Sequence, residues 1–318
     1  MSTKNDVLKI LSQSLDHVSG DKIAKELNVS RNAVWKAVKQ LQSEGFNIES
    51  TKKLGYKLCC TELPNRDIIT SLCDDDVNVI VFDEVDSTNT VAKSLAEQGA
   101  REWTVVLALR QTGGRGRLGR SFFSPEGTGL YMSIILRPSV GVDSALNITA
   151  SAAVAVARAI ENLTDKDPFI KWVNDVYVDG KKVCGILTEA SFNMENSSME
   201  YAVLGVGVNL SSPKAGFPDD ISNIAGDIGL DVSKRDLFTA RIINEFKGLY
   251  SGLGEKLFFD DYKAKQMLMG KAVNVIKATS TRSAVVKGLD DECRLVVEYQ
   301  DGTSEALYTG EVSVRESK

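Results

Sequence analysis

The chain has 318 residues, 43% hydrophobic and 25% charged, with a formal net charge of −5; it is long enough for two or three domains with ample core, and its composition is that of an ordinary globular protein. No apolar run approaches the ~18 residues of a membrane span, and the first residues lack the apolar core of a signal peptide. Five cysteines, with Cys59 and Cys60 adjacent, make neither a disulfide framework nor a metal set with histidine, so a cytoplasmic protein is expected.

Charge is unevenly spread. Residues 1–60 hold ten Lys/Arg and six Asp/Glu, a net of +4, and the remaining 258 hold 28 and 37, a net of −9. A basic head on an acidic body implies separate partners for the two. In the head, Val7, Leu8, Ile10, Leu11 and Leu15 recur at helical spacing over residues 4–15. Ser19 is placed to cap a short helix from Gly20 to Leu27, and Ser30 to cap a third running to about Glu44. Val34, Val38 and Leu41 form the apolar stripe of that third helix, with Trp35 beside it as half-buried packing, and Gly45 ends it. Phe46 and Ile48, then Tyr56 to Leu58, flank a Thr-Lys-Lys-Leu-Gly turn and read as a hairpin. This is the pattern of a winged helix-turn-helix. Ser30, Arg31, Asn32, Lys36 and Lys39 would face bases or phosphates in the major groove, and Lys52 and Lys53 on the wing would touch backbone phosphate. The alternative is a small helical bundle whose polar face is merely solvated.

From Pro64 the pattern changes. A β-rich run, Asn78 to Val85, leads into Asp86-Ser87-Thr88-Asn89, where Ser87 or Thr88 can cap a helix to about Gln98, stopped by Gly99. Strand-like segments recur at 103–109, 130–137 and 169–173, and an alanine-rich helix spans about 143–162. Asp179-Gly180 joins Val176–Val178 to Val183–Thr188 as a hairpin, and Tyr201 to Leu210 forms another strand. Helices return at about 233–250 and 255–264. Helices with a largely hairpin-linked sheet make an α+β domain. After Lys271 the chain alternates apolar and polar positions, as a small antiparallel barrel or sandwich does.

Residues 111–120, Gln-Thr-Gly-Gly-Arg-Gly-Arg-Leu-Gly-Arg, hold three arginines and four glycines. Glycines let an anion approach backbone amides, and arginines supply fork-shaped donors for phosphate or carboxylate. Gly114, Gly116 and Gly119 fit the dinucleotide-binding spacing, and Gly114 to Ser121 nearly fits the P-loop. Both motifs require a following helix, which Pro125, Gly127 and Gly129 deny. The loop is expected to close over an anionic ligand by another architecture; the alternative is a charged loop that is merely solvated. Lys171-Trp172-Val173-Asn174-Asp175 ends a strand, where the lysine can neutralise an anion; Asn174 reads equally well as a turn former. Ser211 to Asp220 is either a lid or an ordinary surface connection. The single histidine, His17, excludes Ser-His-Asp triads, Cys-His pairs and histidine-rich zinc sites from the body.

Ser87-Thr88-Asn89, Gly114 to Arg120, Lys171 to Asp175, Cys184 to Leu187 and Gly205 to Asn209 resemble, in order, the successive motifs of the biotin–protein ligases. The match is to the class that doubles as biotin operon repressor, and it covers essentially the whole chain. Val173 stands where that family usually has proline, which removes a rigid turn residue but no reactive group. The resemblance implies an N-terminal winged helix (1–63), a central α+β ligase domain (64–269) and a C-terminal SH3-like barrel (270–318). It implies activation of biotin with ATP and Mg²⁺ to biotinyl-adenylate, then transfer to a lysine of a biotin carboxyl carrier domain. Ser87, Thr88, Asn89, Gln111 and Gly185 would receive biotin, with Arg115, Gly116 and Arg117 folding over its carboxylate and the α-phosphate. Arg117, Arg120, Trp172, Asn174, Asn209 and Phe217 would hold the nucleotide; Lys171, also in contact with biotin, would stabilise developing charge and act with Arg115 and Arg117 as the catalytic set. No dedicated metal site is implied, since Mg²⁺ enters with ATP. In this class an adenylate-bound homodimer, joined sheet edge to sheet edge, binds a two-fold operator. Alternatives are a ligase whose winged helix no longer regulates, a lipoate–protein ligase, and a ligand-sensing transcription factor without enzymatic activity.

Overall fold

The computed structural model describes residues 3–14, 16–59, 64–74, 77–138, 144–193, 198–277, 280–308 and 311–314. Leu15, Cys60, Leu63 and Asp143, which bear on the expectations above, lie outside that set. The head holds α1 (Thr3–Gln13), α2 (Gly20–Glu26), α3 (Arg31–Ser43), β1 (Ile48–Thr51) and β2 (Gly55–Leu58). Both expected caps form. Ser19 Oγ accepts the Lys22 N–H and Ser30 Oγ the Ala33 N–H, each at 3.1 Å, which satisfies amides that a first helical turn leaves without partners. Val7, Leu8, Leu11, Ile23, Val34 and Leu41 close the core between the helices, and Trp35 stays 50% exposed. The wing strands pair antiparallel from Ile48↔Leu58 to Thr51↔Gly55.

The sequence reading passes over α4 (Arg66–Leu72), which joins head to body. Asn65 Oδ1 caps it by accepting from the Asp67 and Ile68 N–H groups. Its buried residues Ile68, Ile69 and Leu72 lie on a helix that packs against both α1 and α7 (Arg235–Ser251). The Asn65 N–H donates to the Asp236 carboxylate at 3.1 and 3.2 Å, and Asn244 Nδ2 donates to Leu72 O at 2.9 Å. Both ends of α4 are thereby bonded to α7. Burial lifts the Asp236 carboxyl to about 7, against the pull of the Asn65 N–H and the Arg235 charge.

The body's sheet is built from β3 (Asn78–Val85), β4 (Thr104–Gln111), β5 (Gly129–Leu136), β6 (Phe169–Lys171), β7 (Asp175–Val178), β8 (Lys181–Asn193) and β9 (Ser198–Asn209). Their order is β3-β4-β5-β9-β8-β7-β6. All neighbours pair antiparallel except β3 with β4. Those two run parallel, so α5 (Thr88–Glu97) lies in a crossover rather than a hairpin.

Alternation decides what faces what, because successive strand residues point to opposite sides. On one face Leu107, Met132, Ile134, Ile186, Leu204 and Val206 join the main core. There α6 (Ser144–Leu163) contacts the sheet and is itself covered by α7. A helix enclosed on two sides must be apolar nearly all round, and the buried alanines of α6 meet that need. On the opposite face α5 covers Val106, Ile135 and Val203. The same alternation puts Ser133, Gly185, Leu187, Glu189, Gly205, Gly207 and Asn209 on this second face, all of them glycine or polar except Leu187. This patch is the floor of the site.

After α8 (Phe259–Ala264), which is shorter than expected because turns occupy residues 252–258, come β10 (Ala272–Lys277), β11 (Ser280–Leu289), β12 (Leu295–Tyr299), β13 (Ser304–Leu307) and β14 (Glu311–Val314). They form an antiparallel sheet in the order β13-β12-β11-β10-β14, with Val273, Val275, Val286, Leu295 and Val297 buried. The register shifts between Val286 and Gly288, a bulge of the kind that curls small sheets. Among the described residues no helix is long and apolar enough to cross a membrane.

Candidate active site

Beyond β4 the chain folds back on itself. The Phe122 N–H donates to Gly114 O at 2.9 Å and the Gly116 N–H to Arg120 O at 2.7 Å, with Arg115 bridging Ser121. A single 3-10 turn, Arg117–Gly119, forms the tip. Gly114 admits no side chain, because a Cβ there would lie 2.4 Å from Phe122 O and 2.7 Å from Ser124 Oγ. No α-helix follows before β5, so neither nucleotide motif that the glycine spacing mimics is made.

Between this loop and the floor lies a cavity of about 250 Å³, whose lining includes Arg115, Gly116, Arg117, Arg120, Lys171, Trp172, Asn174, Gly185, Asn209 and Phe217. Residues far apart in sequence meet here. Lys171 closes β6, with Nζ 5.9 Å from the centre of the Tyr177 ring. Asn174 is more than a turn former: its Oδ1 accepts from Arg117 Nη1 at 3.1 Å and its Nδ2 donates to Ile186 O at 3.0 Å, which ties the loop tip to β8. Asn209 Nδ2 donates to Gly226 O at 2.8 Å. Lys182, which sequence reasoning passed over, adds a further cation to the lining and pairs with Asp175 at 2.7 Å. The Trp172–Val173 peptide is cis. The 211–220 segment, read as lid or connection, contributes Phe217 as a wall, and Ile224 just beyond it is held by the Lys182 N–H at 2.7 Å.

A smaller pocket adjoins, lined by Ser87, Thr88, Asn89, Gln111, Arg115, Gly185, Gly205 and Gly207 among others. Ser87 stands at the N-cap of α5, but contrary to expectation its side chain makes no cap hydrogen bond. Gln111 Oε1 accepts the Thr88 N–H at 2.9 Å, and Gln111 Nε2 donates to Ser124 Oγ at 2.8 Å. Ser133 Oγ lies 2.8 Å from Thr88 Oγ1 and 2.6 Å from Asn89 Oδ1, and Asn89 Nδ2 donates to Glu189 Oε2 at 2.8 Å. Buried polar groups joined in this way are fixed before any ligand arrives. Burial pushes the Glu189 carboxyl up, but hydrogen bonds from Lys93 and Asn89 and the charges of Lys93 and Arg115 outweigh it and hold the group below its usual range.

Ser133, Glu189 and Phe122 were missed by sequence reasoning. A signal for Glu189 existed, since the two-residue period of β8 sets it on the same face as Gly185 and Leu187. The floor glycines permit close approach by specific groups. A Cβ on Gly207 would lie 2.6 Å from the Phe122 ring, and one on Gly205 only 2.2 Å from Asn89 Oδ1. The arrangement suits an elongated ligand with a neutral polar head in the small pocket and an anionic end among the cations. It can neutralise charge and align reactants without a general base.

The head presents a separate surface. Arg31, Asn32, Lys36 and Lys39 are exposed on α3, and Lys52 and Lys53 on the wing turn. Arg31 Nε pairs with Asp21 at 2.9 Å, and Lys39 Nζ donates to Gln42 at 3.1 Å. His17 also lies in the head, 3.7 Å from Glu49.

Comparison with known proteins agrees along the whole chain. The biotin/lipoate A/B protein ligase family matches residues 81–209, a helix-turn-helix domain residues 3–57, and the biotin protein ligase C-terminal domain residues 268–315. The bifunctional ligase/repressor BirA of Bacillus spizizenii and that of Bacillus subtilis are each 31% identical, with 98% of both chains covered. The solved structure of a biotin protein ligase from Aquifex aeolicus in complex with biotin and ATP shares 27% identity at a TM-score of 0.62, over 76% of this chain and 99% of that one. The chain belongs to the biotin protein ligase family, in its bifunctional ligase/repressor class.

Proposed function

We propose that the chain converts biotin and ATP to biotinyl-5′-adenylate, transfers biotin to a lysine of a biotin carboxyl carrier domain, and in its adenylate-bound form represses biotin genes. The observation that carries this reading is the junction of two unlike pockets on one sheet face, hydrogen-bonding Ser87, Thr88, Asn89 and Gln111 beside cationic Arg115, Arg117, Arg120 and Lys171. The polar set receives the biotin head over Gly185, Gly205 and Gly207. Arg115, Gly116 and Arg117 close over the carboxylate and α-phosphate, and Arg120 takes the remaining phosphates. Trp172, Asn174, Asn209 and Phe217 hold the nucleotide. A biotin carboxylate oxygen attacks the α-phosphorus while the bond to pyrophosphate breaks. Because the carboxylate is already nucleophilic, Lys171 and the arginines serve by offsetting repulsion between two anions. In the second step the acceptor amine attacks the acyl carbon, AMP leaves and the amine proton passes to solvent. Mg²⁺ would enter with ATP and screen the charge of the phosphates.

On this reading the chain divides into 1–63, 64–269 and 270–318 and works in the cytoplasm, where carrier domains and operator DNA are found. β3 ends the seven-stranded sheet on one side and is a place where a second copy can pair edge to edge; the outer side of β6 is already bonded, with the Ile170 N–H donating to Lys265 O at 2.8 Å and the Met267 N–H to Ile170 O at 3.0 Å. A two-fold dimer would present two winged helices to a two-fold operator.

The test is biotin-dependent ATP–pyrophosphate exchange with purified chain and Mg²⁺, without acceptor and with lipoate run alongside. Exchange with biotin and not lipoate is expected; exchange with neither acid removes the ligase reading. Gly205→Ala is expected to raise the KM for biotin by roughly tenfold or more, since the Asn89 amide it displaces is anchored by Ser133 and Glu189. A KM within twofold of wild type would contradict the placement of the biotin head there. For the head, Arg31→Ala and Lys36→Ala are each expected to weaken operator binding several-fold and lower its salt slope by about 1, with exchange unchanged. Fluorescence anisotropy across a salt series checks this, and a fall in exchange would mean that head and body are coupled.

A further inference from the structure

A hydrogen bond joins the C-terminal sheet to the wall of the cavity proposed for the nucleotide. Trp172 lines the cavity, is 4% exposed, and donates its Nε1–H to the backbone oxygen of Cys293 at 2.9 Å. Cys293 lies in the turn between β11 and β12, and several bonds hold its carbonyl in place. Asp290 Oδ1 accepts the Glu292 N–H at 3.0 Å and the Arg294 N–H at 2.9 Å, while Oδ2 accepts from Arg294 Nε at 2.6 Å. The Cys293 N–H donates to Asp290 O and the Asp290 N–H to Arg294 O, both at 3.0 Å. These bonds keep Cys293 at a left-handed φ of 59°, a region a residue with a side chain occupies only when its surroundings impose it. From the body side Lys256 Nζ donates to Asp291 O and, at 3.0 Å, to Glu292. The Tyr262 hydroxyl holds the neighbouring Val173 carbonyl at 3.1 Å.

A buried indole N–H without a partner is costly, so the carbonyl that satisfies it also fixes the ring. If the turn relaxes, the ring is free to turn into the cavity or to lose its own packing. Either movement disturbs the segment from Lys171 to Asn174. We propose that Asp290 is a positioning residue for adenylation: it shapes the turn that aims the Cys293 carbonyl, which locks Trp172 in the wall of the nucleotide cavity. The proposal rests on that cavity being the nucleotide site. The small biotin pocket includes neither Trp172 nor any residue of the turn. The two substrates should therefore respond differently.

The experiment compares full-length wild type, Asp290→Ala, Asp290→Asn, Trp172→Phe and the double variant Asp290→Ala/Trp172→Phe in pyrophosphate exchange, varying ATP and biotin separately. Asp290→Ala is expected to raise the KM for ATP about five- to tenfold, the scale of one buried hydrogen bond lost, with the KM for biotin within twofold. Asp290→Asn keeps an oxygen that can accept both turn N–H groups and should stay near wild type. The double variant should be no worse than Trp172→Phe alone, because both changes act through one bond. A wild-type KM for ATP in Asp290→Ala, additive effects in the double variant, or equal rises for both substrates would overturn the proposal. If Asp290→Ala does not fold, Trp172→Phe decides: it must raise the KM for ATP and spare biotin, and no change in either sinks the idea. Wild type without exchange would strike the ligase reading instead, and calorimetric ATP binding would still compare Asp290→Ala with wild type.

Discussion

Lys171→Ala is expected to lower biotin-dependent pyrophosphate exchange by about 100-fold or more, the scale of losing a pre-placed charge partner in a transition state, while the protein stays folded. The backbone of Lys171 is held by the β6–β7 pairing, Lys171↔Asp175, which alanine preserves. The side chain is only partly buried, so its loss opens no large core cavity. Its value lies in the chemistry, where a carboxylate must approach an anionic α-phosphate. Charge on the bridging and leaving oxygens grows toward the transition state, so kcat should fall more than either KM rises. Pre-steady-state adenylate formation with circular-dichroism melting alongside separates this from misfolding. Unimpaired adenylate synthesis in a folded variant would refute the role given to Lys171.

Local signals made much of this fold legible. Ser19 and Ser30 announce their helices because a cap acts on amides two or three positions away. The span of β3 coincides with the β-rich run from Asn78 to Val85. The glycine- and arginine-rich loop marks itself as a candidate anion site through residue chemistry alone, and the absence of an α-helix between it and β5 agrees with Pro125, Gly127 and Gly129. By contrast, α4 has a good cap in Asn65, but it is short, and its apolar residues gain meaning only from α1 and α7 packed against them.

Less could be read wherever chain order and spatial order part. β9 lies between β5 and β8, which sets Gly205 opposite Ser133 on one side and Leu187 on the other. The two-residue period says that Ser133 and Ile134 face opposite ways, but not which face is the core. Only the arrival of α6 on one side and α5 on the other decides that. The anchoring of Asn89 by Glu189 and of Trp172 by Cys293 spans roughly a hundred residues each, and neither partner carries a local mark of the other. Asn174 shows the same limit. As a turn former it is unremarkable, and its bond to Arg117 emerges only when the loop folds over β8.

That bond leads to the second large effect. Arg117→Gly is expected to leave adenylate formation largely in place but to release the adenylate about 10- to 100-fold faster, the scale of one charge-assisted hydrogen bond lost. Arg117 Nη1 reaches Asn174 Oδ1 at 3.1 Å and so links the loop tip to the opposite wall of the cavity. Glycine removes that link and also frees the backbone of the tip, so the closed loop loses both a bond and stiffness. Lys171, Arg115 and Arg120 remain to assist the first step. Once outside, the mixed anhydride meets bulk lysine amines and acylates whichever are exposed. Incubating the variant with biotin, ATP and a protein that is no natural acceptor should give biotin on many surface lysines, where wild type gives almost none. A folded, exchange-competent variant that labels nothing would remove Arg117 from the retention role. On the proposed function, retention would also link the enzyme to the operator. If the bound adenylate is what promotes dimerisation, the same variant must need more biotin to reach half-maximal operator binding, because each site stands empty longer between turnovers. Leakage without that shift would mean that dimerisation responds to something other than the occupied cavity.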